Sequence, residues 1–162
     1  GKSTIAYQLM KDGWNLISDD LVALDLDNNV LPGIPRIKLW EDAISHFGLD
    51  TIQLNRVAKG FNKFVITKKR INCCNQKVKL EKVLILNRYE ENFIKSKKIK
   101  SQKECLESLI KNYYRPLFIR FLNYEKEYFL HINRILKCTP IYNLYLPNNL
   151  KILSNSLYKF IN

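Results

Sequence analysis

Residues 1–20 read GKSTIAYQLMKDGWNLISDD, and the fold class turns on them. Gly1-Lys2-Ser3-Thr4 leads into Ile5, Ala6, Leu9 and Met10, apolar positions at helical spacing. Gly13 follows the last of them and serves as a C-terminal cap. Trp14 to Ile17 predicts a short strand ending at Ser18-Asp19-Asp20. A helix followed by a strand with acidic residues at its end suits an α/β sheet, whose strand ends face a ligand crevice.

Gly1-Lys2-Ser3 matches the last three residues of the phosphate-loop pattern G-x-x-x-x-G-K-[ST]. By itself so short a match describes only a helix start with a surface lysine. Its placement adds weight, because unpaired N–H groups and the dipole at a helix start favour anions. In that reading Lys2 reaches the β- and γ-phosphates of ATP, Ser3 ligates Mg2+, and Thr4 touches the α-phosphate. Asp19 and Asp20 then offer two carboxylates beside the nucleotide. One can hold the metal or its waters, and the other can accept a proton from an attacking hydroxyl. Without the lysine, the same pair would be only a polar turn before a hairpin.

Leu21 to Leu26 predicts a strand, Asp27-Asn28-Asn29 a turn and Val30-Leu31 the return strand of a hairpin. Pro32-Gly33-Ile34-Pro35 interrupts regular structure. Leu39, Trp40, Ala43, Ile44 and Phe47 recur at helical spacing up to Gly48. Phe64 to Ile66 and Leu80 to Leu86 predict strands, and the uniformly apolar Val83 to Leu86 should be covered on both faces. Ser101-Gln102-Lys103-Glu104 resembles a capping box that opens a helix through Ile110. A helix over 124–138, a strand over 141–146 and a closing helix through Leu150, Leu153 and Leu157 complete the reading.

With 162 residues, 46% of them hydrophobic, the chain can build one globular domain over 1–162 without disulfides or a structural metal. The net charge of +12 raises the question of nucleic acid. Its dense runs, Lys68-Lys69-Arg70 and Lys95 to Lys100, carry no interleaved aromatics and read as solvated surface, so no nucleic-acid partner is expected. No apolar run is long enough to cross a bilayer and no leader is visible, so no membrane partner and a cytoplasmic location are expected. Cys73, Cys74, Cys105 and Cys138 lack zinc-ligand spacing and read as small buried thiols in a reducing compartment. His46 and His131 have no ligand partners at suitable spacing and read as structural or exposed.

The chain resembles the catalytic domain of the HPr serine kinase/phosphorylase family. The resemblance begins with Gly1 to Thr4 and continues through Gly13 and Ile17-Ser18-Asp19-Asp20. Pro32-Gly33-Ile34-Pro35-Arg36-Ile37-Lys38-Leu39-Trp40 and Asp42-Ala43 carry it further. Looser echoes lie in Lys79-Leu80, Val83 to Leu86, Asn112 to Pro116 and Pro140 to Pro147. It implies a P-loop kinase fold of the HPr kinase and phosphoenolpyruvate carboxykinase type, a mixed sheet with flanking helices. It also implies an ATP-dependent serine kinase in which Lys2 and Ser3 hold Mg-ATP. One aspartate of the pair acts as general base; Asp20 is the choice for that role, with Asp19 supporting it at the metal, although the order stays open. Arg36 and Lys38 are candidates for contact with phosphate or acceptor, or for a basic rim beside a buried Trp40.

The first half of the phosphate loop and its strand do not precede Gly1, so weak ATP binding is expected of this chain as it stands. The segment used for phosphorolysis by the bifunctional enzymes is not recognisable. The acceptor is a protein or small-molecule hydroxyl, with HPr one candidate, and homo-oligomerisation is left open. Two other readings remain. One is a small-molecule kinase of the shikimate or adenylylsulfate type, which would continue past the acidic residue with helix rather than a hairpin. The other is a nucleotide-binding regulatory module without catalysis.

Overall fold

A computed structural model describes residues 1–148 and residue 157. The closing helix expected around Leu150 and Leu153 lies outside the described residues. Helix α1 spans Lys2–Lys11. The Gly13 N–H meets the Met10 carbonyl at 3.1 Å and the Trp14 N–H meets the Leu9 carbonyl at 3.0 Å. This closure requires the left-handed φ of 96° that glycine adopts without a Cβ penalty. Strands β1 (Ala23–Leu24) and β2 (Asn29–Leu31) form the expected antiparallel hairpin, and β3 (Arg36–Trp40) follows. Asp25 accepts the backbone N–H groups of Asp27 and Asn29 and the Asn29 side-chain amide, which fixes the hairpin turn. These donors depress its pKa to about 2.

After β3 come α2 (Glu41–His46), β4 (Asn55–Arg56), β5 (Lys63–Thr67), β6 (Val78–Lys79) and β7 (Val83–Tyr89). Then follow β8 (Lys95–Lys98), α3 (Gln102–Asn112), α4 (Pro116–Phe121), α5 (Glu125–Cys138) and β9 (Ile141–Pro147). The strands make three small sheets, ordered β1-β2-β6, β3-β5-β4 and β7-β9-β8. Among the described strands only β7 and β9 pair in parallel, with β8 and the helices α3 to α5 in the connection between them. The architecture is mixed α/β, with small sheets and flanking helices.

Helix α1 is the spacer between two cores. Ile5 and Leu9, one turn apart, pack with Leu84, Leu86, Leu144, Leu146 and Leu157. Tyr7 and Met10, on a different side, join Ile37, Leu39, Ile44, Phe64 and Ile66 between α1, the β3-β5 ladder and α2. The other face of the β7-β9 pair, through Val83, Ile85 and Ile141, meets Cys105 and Leu109 of α3 and Leu136 of α5. Residues 83–86 are therefore covered on both faces, as their uniform apolarity predicts. They stay half-buried because β7 ends the sheet, with β9 as its one partner among the described residues.

Several expectations are corrected. Trp14 to Ile17 is not a strand; Leu16 makes a single parallel bridge to Cys73. Its N–H donates to Asn72 and its carbonyl accepts from Cys74, and because that partner is itself a loop, no ladder propagates. Leu39 and Trp40 belong to a strand rather than a helix. Ile37 and Leu39 are buried while Arg36 and Trp40 are exposed, a period of two, and β3 pairs with β5 along its whole length. Trp40 is 52% exposed, with the Lys63 ammonium over its ring, so it is not the buried anchor expected.

The expected strand over Leu80 to Leu86 runs instead from Val83 to Tyr89. Ser101 does cap α3, its oxygen accepting from the Glu104 N–H. The Glu104 carboxylate, however, accepts from the Asn143 amide. Cys105 is buried, but Cys138 is exposed, against the expectation of four buried thiols. The Lys95 to Lys98 run forms β8, at the edge of its sheet, where lysines discourage pairing with other chains.

Candidate functional site

The Asp19-Asp20 segment is held by backbone contacts from both directions. Beyond the bridge at Leu16, the Ile17 carbonyl accepts the Gly33 N–H at 2.9 Å, and the Ser18 hydroxyl donates to the Leu21 carbonyl. Gly33 must be glycine for a packing reason. A Cβ there would overlap the Ser18 hydroxyl, would sit 2.7 Å from the Ser18 Cβ and would press on the Ile17 carbonyl. Gly33→Ala is thus expected to cost roughly 1–3 kcal/mol, the usual range for overpacking, read as a lowered midpoint in urea denaturation. A wild-type midpoint would remove Gly33 from the account of how the acidic pair is placed.

The pair faces the start of α1. The Ser3 hydroxyl donates to Asp19 Oδ1 at 2.7 Å, and the Lys38 backbone N–H donates to Asp19 Oδ2 at 2.9 Å. Both Asp19 oxygens are thereby engaged, and its carboxylate ties the helix start to β3. Asp20 projects further into solvent and pairs with the Lys38 ammonium. That hydrogen bond, followed by the charges of Lys38, Lys63 and Lys2, holds the Asp20 carboxyl below the usual carboxylate range. Alternation along β3 produces this arrangement: Ile37 and Leu39 enter the core, which leaves Lys38 between them on the face toward the aspartates.

Ser3, Asp19, Asp20 and Lys38 therefore converge, with Lys2 close enough that its charge acts on Asp20. Gly1 is the N-cap of α1 and accepts the Ile5 N–H at 3.0 Å; it is exposed, as is Lys2, while Thr4 is half-buried. Arg36 is exposed at the start of β3, opposite Thr67. His46 lies on α2 against the Phe47 ring and His131 on α5, both half-buried and away from the acidic pair. Sequence reasoning missed the double engagement of Lys38 and the packing role of Gly33. The proline-glycine signal marked the turn, but nothing in it named Ser18 as the neighbour.

Among the described residues no group of three or more His, Cys, Asp or Glu could hold a metal ion. The donor set still fits Mg2+, which is commonly held by one or two protein oxygens and completed by substrate phosphates and water. Ser3 and Asp19, already in contact, supply that hard-oxygen pair. No helix among the described residues is long and apolar enough to cross a membrane. The chain matches no family model, no curated protein and no solved structure.

Proposed function

We propose that this chain is an HPr-kinase-like phosphotransferase with a P-loop kinase fold, moving the γ-phosphoryl group of Mg-ATP to a serine or other hydroxyl. The observation that carries the reading is the 2.7 Å hydrogen bond from Ser3 at the start of α1 to Asp19. It joins a Gly-Lys-Ser helix start, suited to phosphate, to an acidic pair suited to metal and proton. The β1-β2 hairpin directly after Asp20 favours this reading over the shikimate-type kinases, which continue with helix at that point.

Each residue has a separate task. Lys2 and the N–H groups at the start of α1 attract the β- and γ-phosphates. Ser3 and Asp19 would hold the magnesium, which when bound neutralises charge developing on the phosphates. Asp20 accepts the proton of the acceptor hydroxyl. Its pairing with Lys38 keeps it ionised but weakly basic. Drawing the Lys38 ammonium toward a bound phosphate would free Asp20 and raise its basicity, so that proton uptake is coupled to occupancy of the site.

Lys2→Ala tests the phosphate assignment. A charge-assisted contact contributes about 1.5–3 kcal/mol. The variant is therefore expected to weaken Mg-ATP binding by at least about tenfold in calorimetry. Unchanged affinity would remove the phosphate site, and with it the kinase reading.

A further inference from the structure

A cavity of about 640 Å³ opens between the β1-β2 hairpin, the α3–α4 connection and the helices α4 and α5. Its size falls within the range of small-molecule sites, roughly 300–1,000 Å³. Five aromatic rings contribute to its walls: Tyr113, Tyr114, Phe118, Tyr124 and Tyr128. Tyr113 and Tyr128 meet edge-to-face at 4.6 Å, and Asn28 closes the hairpin onto α5 by donating to the Arg134 carbonyl at 3.3 Å.

The cavity's unpaired charge is net positive. Arg115 and Arg134 both line it, and neither has a carboxylate partner among the described residues. Arg115 takes a left-handed φ of 45°, costly for a residue with a Cβ, and its guanidinium lies over the rings of Tyr114 and Phe118. Of the acids at the cavity, Asp25 is engaged by its own turn and by Lys77, which leaves Glu127, exposed on α5. Burial and the nearby Arg134 hold the His131 pKa below its ordinary value, which disfavours charge there.

We infer that this cavity binds a small planar aromatic anion, its ring stacked among Tyr113, Tyr128 and Phe118 and its acid group met by Arg115 and Arg134. Flat rings suit the aromatic walls, and guanidinium groups pair with carboxylate in a fork that a neutral ligand cannot use. The volume suits one small molecule rather than a folded partner. The inference does not rest on kinase activity.

The probes are 2-naphthoate and its neutral isostere 2-naphthamide, titrated calorimetrically into the wild-type protein. Saturable naphthoate binding, at least tenfold tighter than that of the amide, is expected. The double variant Arg115→Gln/Arg134→Gln should erase that preference, and Phe118→Ala, at a half-exposed position where folding is spared, should weaken both probes. Equal wild-type affinities would overturn the proposal without recourse to any variant. So would a preference that survives loss of both arginines, or an absence of binding with the chain instead self-associating through the apolar residues of α4.

Discussion

Asp20→Asn is expected to lower phosphoryl transfer by about 10²–10⁴-fold, the usual contribution of a positioned general base, while Mg-ATP still binds. The amide has the shape of the carboxylate but cannot take a proton. The substitution should be well tolerated by the fold, because the Asp20 side chain is half exposed. Its ion pair with Lys38 is of the surface kind, worth about 0–1 kcal/mol. Asp19 is the wrong residue for this test, since both its oxygens are occupied by Ser3 and the Lys38 N–H; replacing it would disturb placement and chemistry together. Transfer is measured in the full-length protein against candidate hydroxyl acceptors, with ATP affinity measured in parallel. Normal transfer by the variant would sink the general-base assignment. Failure to bind ATP would instead show that Asp20 helps hold the nucleotide.

Ile37→Ala should produce the largest loss of stability, about 2–5 kcal/mol for truncating a fully buried large aliphatic side chain. Ile37 is 0% exposed, lies opposite Ile66 in the β3-β5 ladder and joins the cluster against α1. The backbone around it is held by the β5 ladder along one edge and by the Lys38 N–H contact to Asp19 on the other, so the cavity cannot easily collapse. Leu117→Ala, at a residue 72% exposed on α4, provides the contrast and should stay within about 0.5 kcal/mol. Denaturant midpoints of the two variants decide the matter. A loss below about 1 kcal/mol at Ile37 would mean that the β3 core is not the anchor described here. The position also matters to the site, because the same alternation that buries Ile37 and Leu39 presents Lys38 to the aspartates.

The legible parts of the chain were those governed by contacts within a few residues. The glycine closure of α1, the Asp25-to-Asn29 turn, the Ser101 cap and the run of α5 all depend on local hydrogen bonds and spacing. Residues 39–47 misled because Leu39, Trp40, Ala43, Ile44 and Phe47 fit a helix template equally well at short range. Pairing with β5 decided in favour of strand up to Trp40, and only then does α2 begin. The α4 segment gave no signal either: its apolar residues show no buried face, with Leu117, Phe118 and Phe121 exposed.

Gly1 to Thr4 and Asp19-Asp20 could be named from the sequence because their residue types and order are themselves the signal. The two aspartates are alike in the sequence but differ in their contacts: Asp19 is locked between Ser3 and β3, while Asp20 remains at the surface with Lys38. Those contacts span sixteen and nineteen residues. No periodicity encodes them, because they arise only when α1 packs on β3 and the Ser18-Gly33 contact sets the loop. The aromatic cavity belongs to the same class: its walls come from hairpin residues 24–26 and from residues 113–134, far apart in the chain. Local chemistry thus determined which residues could act, and packing between distant segments decided which of them meet.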